Sequence, residues 1–197
     1  MISKIWMRLC IILTANILMV SLATGEELSL GNTQAPVTLI EYGSLTCGKC
    51  LYFHKSVFPQ IKEHYIDQGI VRFTFRHFPT SGAAVHGARA AQCSGDKYYD
   101  MLDVLFATVA NWVEAENRDN LFVEHATSLG LNSEDFVACL SDNKLLDDIL
   151  NRQQAAKSDL DVIGTPTFFI NGSMVRGKRS FDEMKALISD ALNKDKQ

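Results

Sequence analysis

Positive charge is in deficit in this chain of 197 residues: 19 lysines and arginines stand against 23 acidic residues, with no basic stripe. A phosphate backbone is met by clustered basic side chains, so nucleic-acid binding is excluded. A second close cysteine pair is also missing. Cys47 and Cys50 are two residues apart, but Cys93 and Cys139 stand far from each other and Cys10 lies in an N-terminal apolar segment. Structural zinc sites want two close pairs, so no metal is expected, and no motif calls for an organic cofactor. Proline is scarce. Of its four occurrences, Pro36, Pro79 and Pro166 fall at the ends of strand-like runs and Pro59 inside a helical pattern. Nor is there an apolar run of about 20 residues to span a bilayer; residues 9–22 fall short and are interrupted by Asn16.

What the N-terminus does have is the form of an export signal. Lys4 and Arg8 precede the apolar run, and Ser21-Leu22-Ala23 or Ala23-Thr24-Gly25 offers small residues for cleavage. Residues 1–25 are therefore expected to be a signal peptide, with an uncleaved anchor as the alternative. Without Lys4 and Arg8, 17 basic residues face 23 acidic ones, a net charge of about −6 on about 172 residues. Four cysteines remain, an even number suited to the periplasm or another oxidising compartment.

Along the chain, Leu28-Ser29-Leu30 alternates as a short edge strand or arm. Residues 37–42 are apolar on both faces, as in a strand covered on both sides, except for Glu41. A helical pattern covers 51–67, carries Pro59 in its interior and stops at Gly69, so a kink is expected near 55–58. Residues 70–76 alternate with β-branched and aromatic side chains and read as a second strand, completing a βαβ unit. Residues 81–162 then show only helical spacing, with no repeat and no strand pattern. Strand character returns at 167–170, Asn171-Gly172 signals a hairpin, 174–176 is the return strand and 181–192 a last amphipathic helix. The expected fold is α/β, with 26–80 and 163–197 forming one sheet-bearing domain and 81–162 an inserted all-helical lobe.

The chemistry points to Cys47-Gly48-Lys49-Cys50, between the first strand and its helix. At a helix start the first sulfur lies among unpaired N–H groups that favour thiolate, and the second lies one turn on. Strand, C-x-x-C and helix together read as a thioredoxin-like redox motif, a Cys47–Cys50 redox-active disulfide. Glu41, six residues earlier near a buried strand end, is placed to accept a proton if desolvation raises its pKa; it could equally point to solvent. Pro166 stands before the third strand, where a missing N–H does no harm. Cys93 and Cys139 lie on two lobe helices as either packed thiols or, better suited to an oxidising compartment, a structural disulfide. His54 is expected on the exposed side of the active-site helix, and neither it nor His77 nor His86 is assigned a role.

Taken in order, Glu41-Tyr42, Cys47-Gly48-Lys49-Cys50, the segment from Arg76 to Pro79, and the run from Gly164 through Thr165-Pro166-Thr167 to Asn171-Gly172 resemble the DsbA-like family of exported thiol:disulfide oxidoreductases. The resemblance covers nearly all of the chain after the signal peptide. It implies a thioredoxin fold with a helical insertion, Cys47 as the attacking cysteine, Cys50 as its partner, Pro166 as a cis residue beside them with Thr165 before it, and Glu41 as the acid that handles the Cys50 proton. Some members carry a second disulfide in the helical lobe, as Cys93 and Cys139 would. It also implies reduced secreted proteins as substrates and a DsbB-type membrane quinone reductase for reoxidation.

Gly48 and Lys49 depart from the Pro-His of the best-known oxidases. A cation at Lys49 favours the Cys47 thiolate, though as a solvated point charge it acts more weakly than histidine. With only about ten residues between the signal and the first core strand, no dimerisation domain is expected. The prediction is a monomeric dithiol oxidase, with a disulfide isomerase or reductase, or a redox-inactive peptide-binding chaperone, as alternatives.

Overall fold

The computed structural model describes residues 27–194; the expected signal peptide lies outside them. Strand β1 (Val37–Gly43) runs parallel to β2 (Val71–His77), Val37 opposite Val71 and Gly43 opposite His77. On its other edge β1 pairs antiparallel with β3 (Thr167–Ile170), which turns into β4 (Ser173–Arg176). The sheet order β2-β1-β3-β4 joins the two halves of the sequence, as expected for a thioredoxin fold. The hairpin turn uses positive φ at Asn171 and Gly172 (44° and 80°). Asn171 Oδ1 also accepts from the Thr38 N–H at 2.7 Å, fastening the hairpin to the start of β1. The expected edge strand near Leu30 is only a single bridge to Phe73.

Side-chain alternation along β1 decides the two layers. Val37, Leu39 and Glu41 face the active-site helix, with Phe73, Phe75 and Phe168 in the same buried cluster. Tyr42 faces the other way, in a smaller cluster with Phe78, Ala156 and Val162. The helix begins as α1 (Gly48–Tyr52), passes through a π-helical turn at Phe53–Val57, resumes as α2 (Phe58–Ile61) and ends in a second π turn, Lys62–Ile66. Pro59 lies at the start of α2. The missing proline N–H thus coincides with the expected irregularity, which takes the form of one wide turn.

The helical layer comprises α3 (Gly82–Gln92), a 3₁₀ turn at Gly95–Lys97, α4 (Tyr98–Ala107), α5 (Val109–Trp112), α6 (Arg118–Ser128), α7 (Ser133–Leu140) and α8 (Asn143–Leu160). Helix α9 (Phe181–Lys194) follows the sheet. Helical spacing continues through residues 98–110, yet α4 and α5 are separated at Thr108, whose Oγ1 donates back to the Val104 carbonyl at 2.7 Å. Such back-bonding is a known way for threonine to interrupt a helix. Met101, Leu105, Phe106, Trp112 and Phe122 join the main core, while Ala156 of α8 covers the opposite face of the sheet. Cys93 and Cys139 are joined, with their Cα atoms 5.7 Å apart, linking the ends of α3 and α7.

Candidate active site

The loop from Ser44 to Thr46 carries the chain from β1 to the C-x-x-C. It is tied sideways to the helical layer: Ser44 Oγ lies 2.9 Å from Thr80 Oγ1, and Thr46 Oγ1 lies 3.0 Å from Ser81 Oγ. Ser81 also caps α3, accepting from the Ala84 N–H. One short hydroxyl network therefore positions both the active-site loop and the first lobe helix, a link that spacing in the sequence did not reveal.

Cys47 occupies the N-cap of α1 in extended backbone geometry (φ −85°, ψ 119°) and is half-buried; Cys50, in the first turn, is buried, and the two thiols are free. The Cys47 thiol is lowered from its ordinary 9.0 to about 5, chiefly by the hydrogen bond with the Cys50 thiol, against which burial acts. The Thr165 side chain and the N–H groups of Cys50 and Lys49 add to the lowering, although no formal capping bond to the sulfur closes. Cys50 is pushed far above the usual thiol range, first by the same hydrogen bond, then by burial and the charge of Glu41. One interaction thus splits the pair into a ready nucleophile and a held thiol.

The Lys49 side chain is exposed, and its backbone N–H is among the groups that lower Cys47. Gly48 is exposed, with open space where a Cβ would sit.

From the other half of the chain, the Thr165-Pro166 bond is cis. The Cys47 thiol donates to the Thr165 carbonyl oxygen at 3.4 Å. Pro166 is buried directly before β3. Residues 118 positions apart in sequence therefore share one site.

Glu41 is fully buried on the helix-facing side of β1, and the solvent-facing alternative fails. Its Oε2 lies 2.9 Å from His54 Nε2. This corrects the placement of His54, which is only 9% exposed instead of lying on the open side of the helix. The signal was present: four residues beyond Cys50, a helical side chain returns to nearly the same face. His77 is half-buried. Burial lowers it to about 3, and its Nε2 lies 3.1 Å from Tyr98 Oη between β2 and α4. His86 faces Asp119 at the surface, 3.5 Å away.

Comparisons with known proteins place this geometry. The family model described as Thioredoxin matches residues 23–190. A Rickettsia felis relative, provisionally named a protein-disulfide oxidoreductase, is 27% identical over 174 residues, which cover 87% of this chain and 62% of that protein. The chain thus spans less than two thirds of that relative's length. Disulfide bond formation protein D of Bacillus subtilis is 24% identical over 168 residues, covering 83% of this chain and 76% of its own length. Among solved structures, alpha-DsbA1 of Wolbachia pipientis superposes with a TM-score of 0.79 at 30% identity, covering 87% of this chain and 93% of that one. Oxidised BdbD of Bacillus subtilis gives 0.75 at 24% identity, covering 85% and 93%, and shows the fold. With a paired, unequal dithiol at a helix start facing a cis-proline loop, and with these matches along most of its length, the chain belongs to the thioredoxin family, among its DsbA-like members.

Proposed function

We propose that this chain is an exported thiol:disulfide oxidoreductase that introduces disulfides into secreted proteins through Cys47 and Cys50. The observation that carries the reading is the Cys47 thiol, lowered to about 5 at the helix N-cap beside a buried Cys50. A stabilised thiolate favours the reduced enzyme, and an enzyme that prefers to be reduced oxidises its partners. A substrate thiolate attacks the oxidised Cys47 sulfur and Cys50 leaves. A second substrate thiolate then attacks the substrate sulfur of the mixed disulfide, and Cys47 departs as thiolate. Two electrons pass from substrate to enzyme, and one proton is taken up at Cys50. Glu41, whose charge already acts on Cys50, handles that proton. Thr165 and Pro166 border the Cys47 sulfur, where an extended substrate segment would lie.

The N-terminal pattern of residues 1–25 supports export to an oxidising compartment such as the periplasm. The bonded Cys93–Cys139 pair fits such a compartment. Reoxidation is assigned to a DsbB-type membrane quinone reductase, by likeness to the family. The test is the reduction potential of the Cys47–Cys50 couple, together with refolding of a reduced multi-disulfide protein. The expected potential is well above the thioredoxin value of roughly −270 mV, with refolding lost in Cys47→Ala. A potential at the thioredoxin value would make the chain a reductase, and undiminished oxidation by Cys47→Ala would remove the enzyme reading.

A further inference from the structure

The buried pair beneath the dithiol has an unpaired far end. His54 and Glu41 are joined through Nε2 and Oε2, with side chains 4% and 0% exposed. His54 Nδ1, the other ring nitrogen, is buried with no hydrogen-bond partner among the described residues. The ring is stacked on Phe106 (centroids 4.0 Å apart, planes 15° apart) and met edge-on by Phe53 and Phe75. Its orientation is therefore fixed. A solvent-open cleft of about 300 Å³ borders it, lined also by Lys55, Lys62, Asp103 and Phe106.

Packing alone does not account for an imidazole here. A phenyl ring would stack on Phe106 equally well without leaving a buried nitrogen unpaired, which is costly. A histidine that holds a buried carboxylate with one nitrogen and borders a solvent-open cleft has the two-ended form of a proton relay. The groups facing it are Glu41 from β1, Asp103 from α4, and Lys55 and Lys62 from its own helix; β2 presents only the rings of Phe73 and Phe75. Partial burial raises Asp103 from its ordinary value while His54 pulls it back, so the two sense one another.

We propose that His54 relays protons between solvent in the Asp103 cleft and the buried Glu41–Cys50 pair. The inference rests on the dithiol-exchange reading. When a substrate thiolate attacks Cys47, the Cys47–Cys50 bond breaks and its electron pair goes to Cys50 Sγ. Cys50 takes the proton held between Glu41 Oε2 and His54 Nε2, and His54 Nδ1 draws its replacement from water in the cleft. Cys47 later departs as thiolate and needs none. When Cys50 instead attacks a mixed disulfide on Cys47, its proton leaves by the reverse route. His54 touches no reacting sulfur; it acts through Glu41 as a positioning residue.

The experiment traps the protein as a Cys47–glutathione mixed disulfide and follows glutathione release against pH. His54→Gln keeps a hydrogen-bonding amide but cannot pass a proton. It is expected to slow release by on the order of a hundredfold and move the profile to higher pH, while Cys47 alkylation keeps its midpoint near 5. Asp103→Asn, at an exposed position, shifts the profile to a smaller extent. His54→Ala is slowed likewise and is rescued by added imidazole but not by benzene; should it fail to fold, the glutamine variant carries the test. A wild-type rate and profile in His54→Gln, or a slow His54→Ala rescued by neither or by both additives, overturns the relay. Failure of the wild type to oxidise a dithiol peptide would instead overturn the dithiol-exchange reading itself.

Discussion

At the scale of single residues, the site works by making two identical side chains unequal. Cys47 and Cys50 share one hydrogen bond, yet one sulfur stands at the open end of a helix and the other lies inside. Alkylation of reduced protein should therefore show one fast thiol with a midpoint near pH 5 and one protected thiol. Because Cys47 has already ionised and Cys50 has not, reduction consumes one proton per two electrons above that pH. The potential should fall by about 30 mV per pH unit there and about 59 below it, measurable by glutathione equilibration. The linked stability has a definite sign. A thiol depressed from 9.0 to about 5 stabilises the folded dithiol fully above 9, and that contribution is lost as pH falls through 5. Cys50, raised in the fold, works against stability above 9, where the unfolded chain ionises it. Urea unfolding of the reduced protein should thus strengthen from pH 5 towards 9, with the oxidised protein lacking this rise.

At the scale of elements, close approach between strands and helices sets what the site tolerates. A Cβ on Gly43, at the end of β1, would lie 2.4 Å from a ring carbon of Phe75 and 3.0 Å from Glu41 Oε1. Gly43→Ala should cost about 1–3 kcal/mol in denaturant unfolding, the usual range for overpacking. It should also disturb the Glu41–His54 pair. In α3, a Cβ on Gly87 would meet Leu45 Cδ1 at 2.8 Å and Trp112 at 3.2 Å. Leu45 lies two residues before Cys47 in the core, so Gly87→Ala should destabilise the protein and also change the alkylation rate of Cys47. The legibility of these elements was uneven. Strands and helices followed from periodicity, and Pro59 marked the irregular turn. The break at Thr108 was not visible, because residues 98–110 keep helical spacing throughout and only the threonine back-bond interrupts them.

At the scale of the whole molecule, two joins between segments distant in sequence each hold one layer together, a disulfide in the helical layer and a strand pairing in the sheet. Cys93 and Cys139 close a segment of sequence separation 46, for an ideal stabilisation of about 4 kcal/mol. Replacing both by alanine should lower the unfolding free energy by up to that amount, while the Cys47–Cys50 couple keeps its potential. The second join is the pairing of β1 with β3, which brings Thr165 and Pro166 to Cys47. By itself the sequence determined the redox motif, the order of strands and helices, the change of character at 81–162 and the N-terminal export pattern. These depend on local spacing and chemistry, which a linear text carries. Only the tertiary structure decided that Glu41 is buried and bonded to a histidine, that the Lys49 backbone N–H reaches Cys47 and that Cys50 is the suppressed thiol. Burial and pKa depend on which surfaces close over a group, and those surfaces come from parts of the chain far away in sequence.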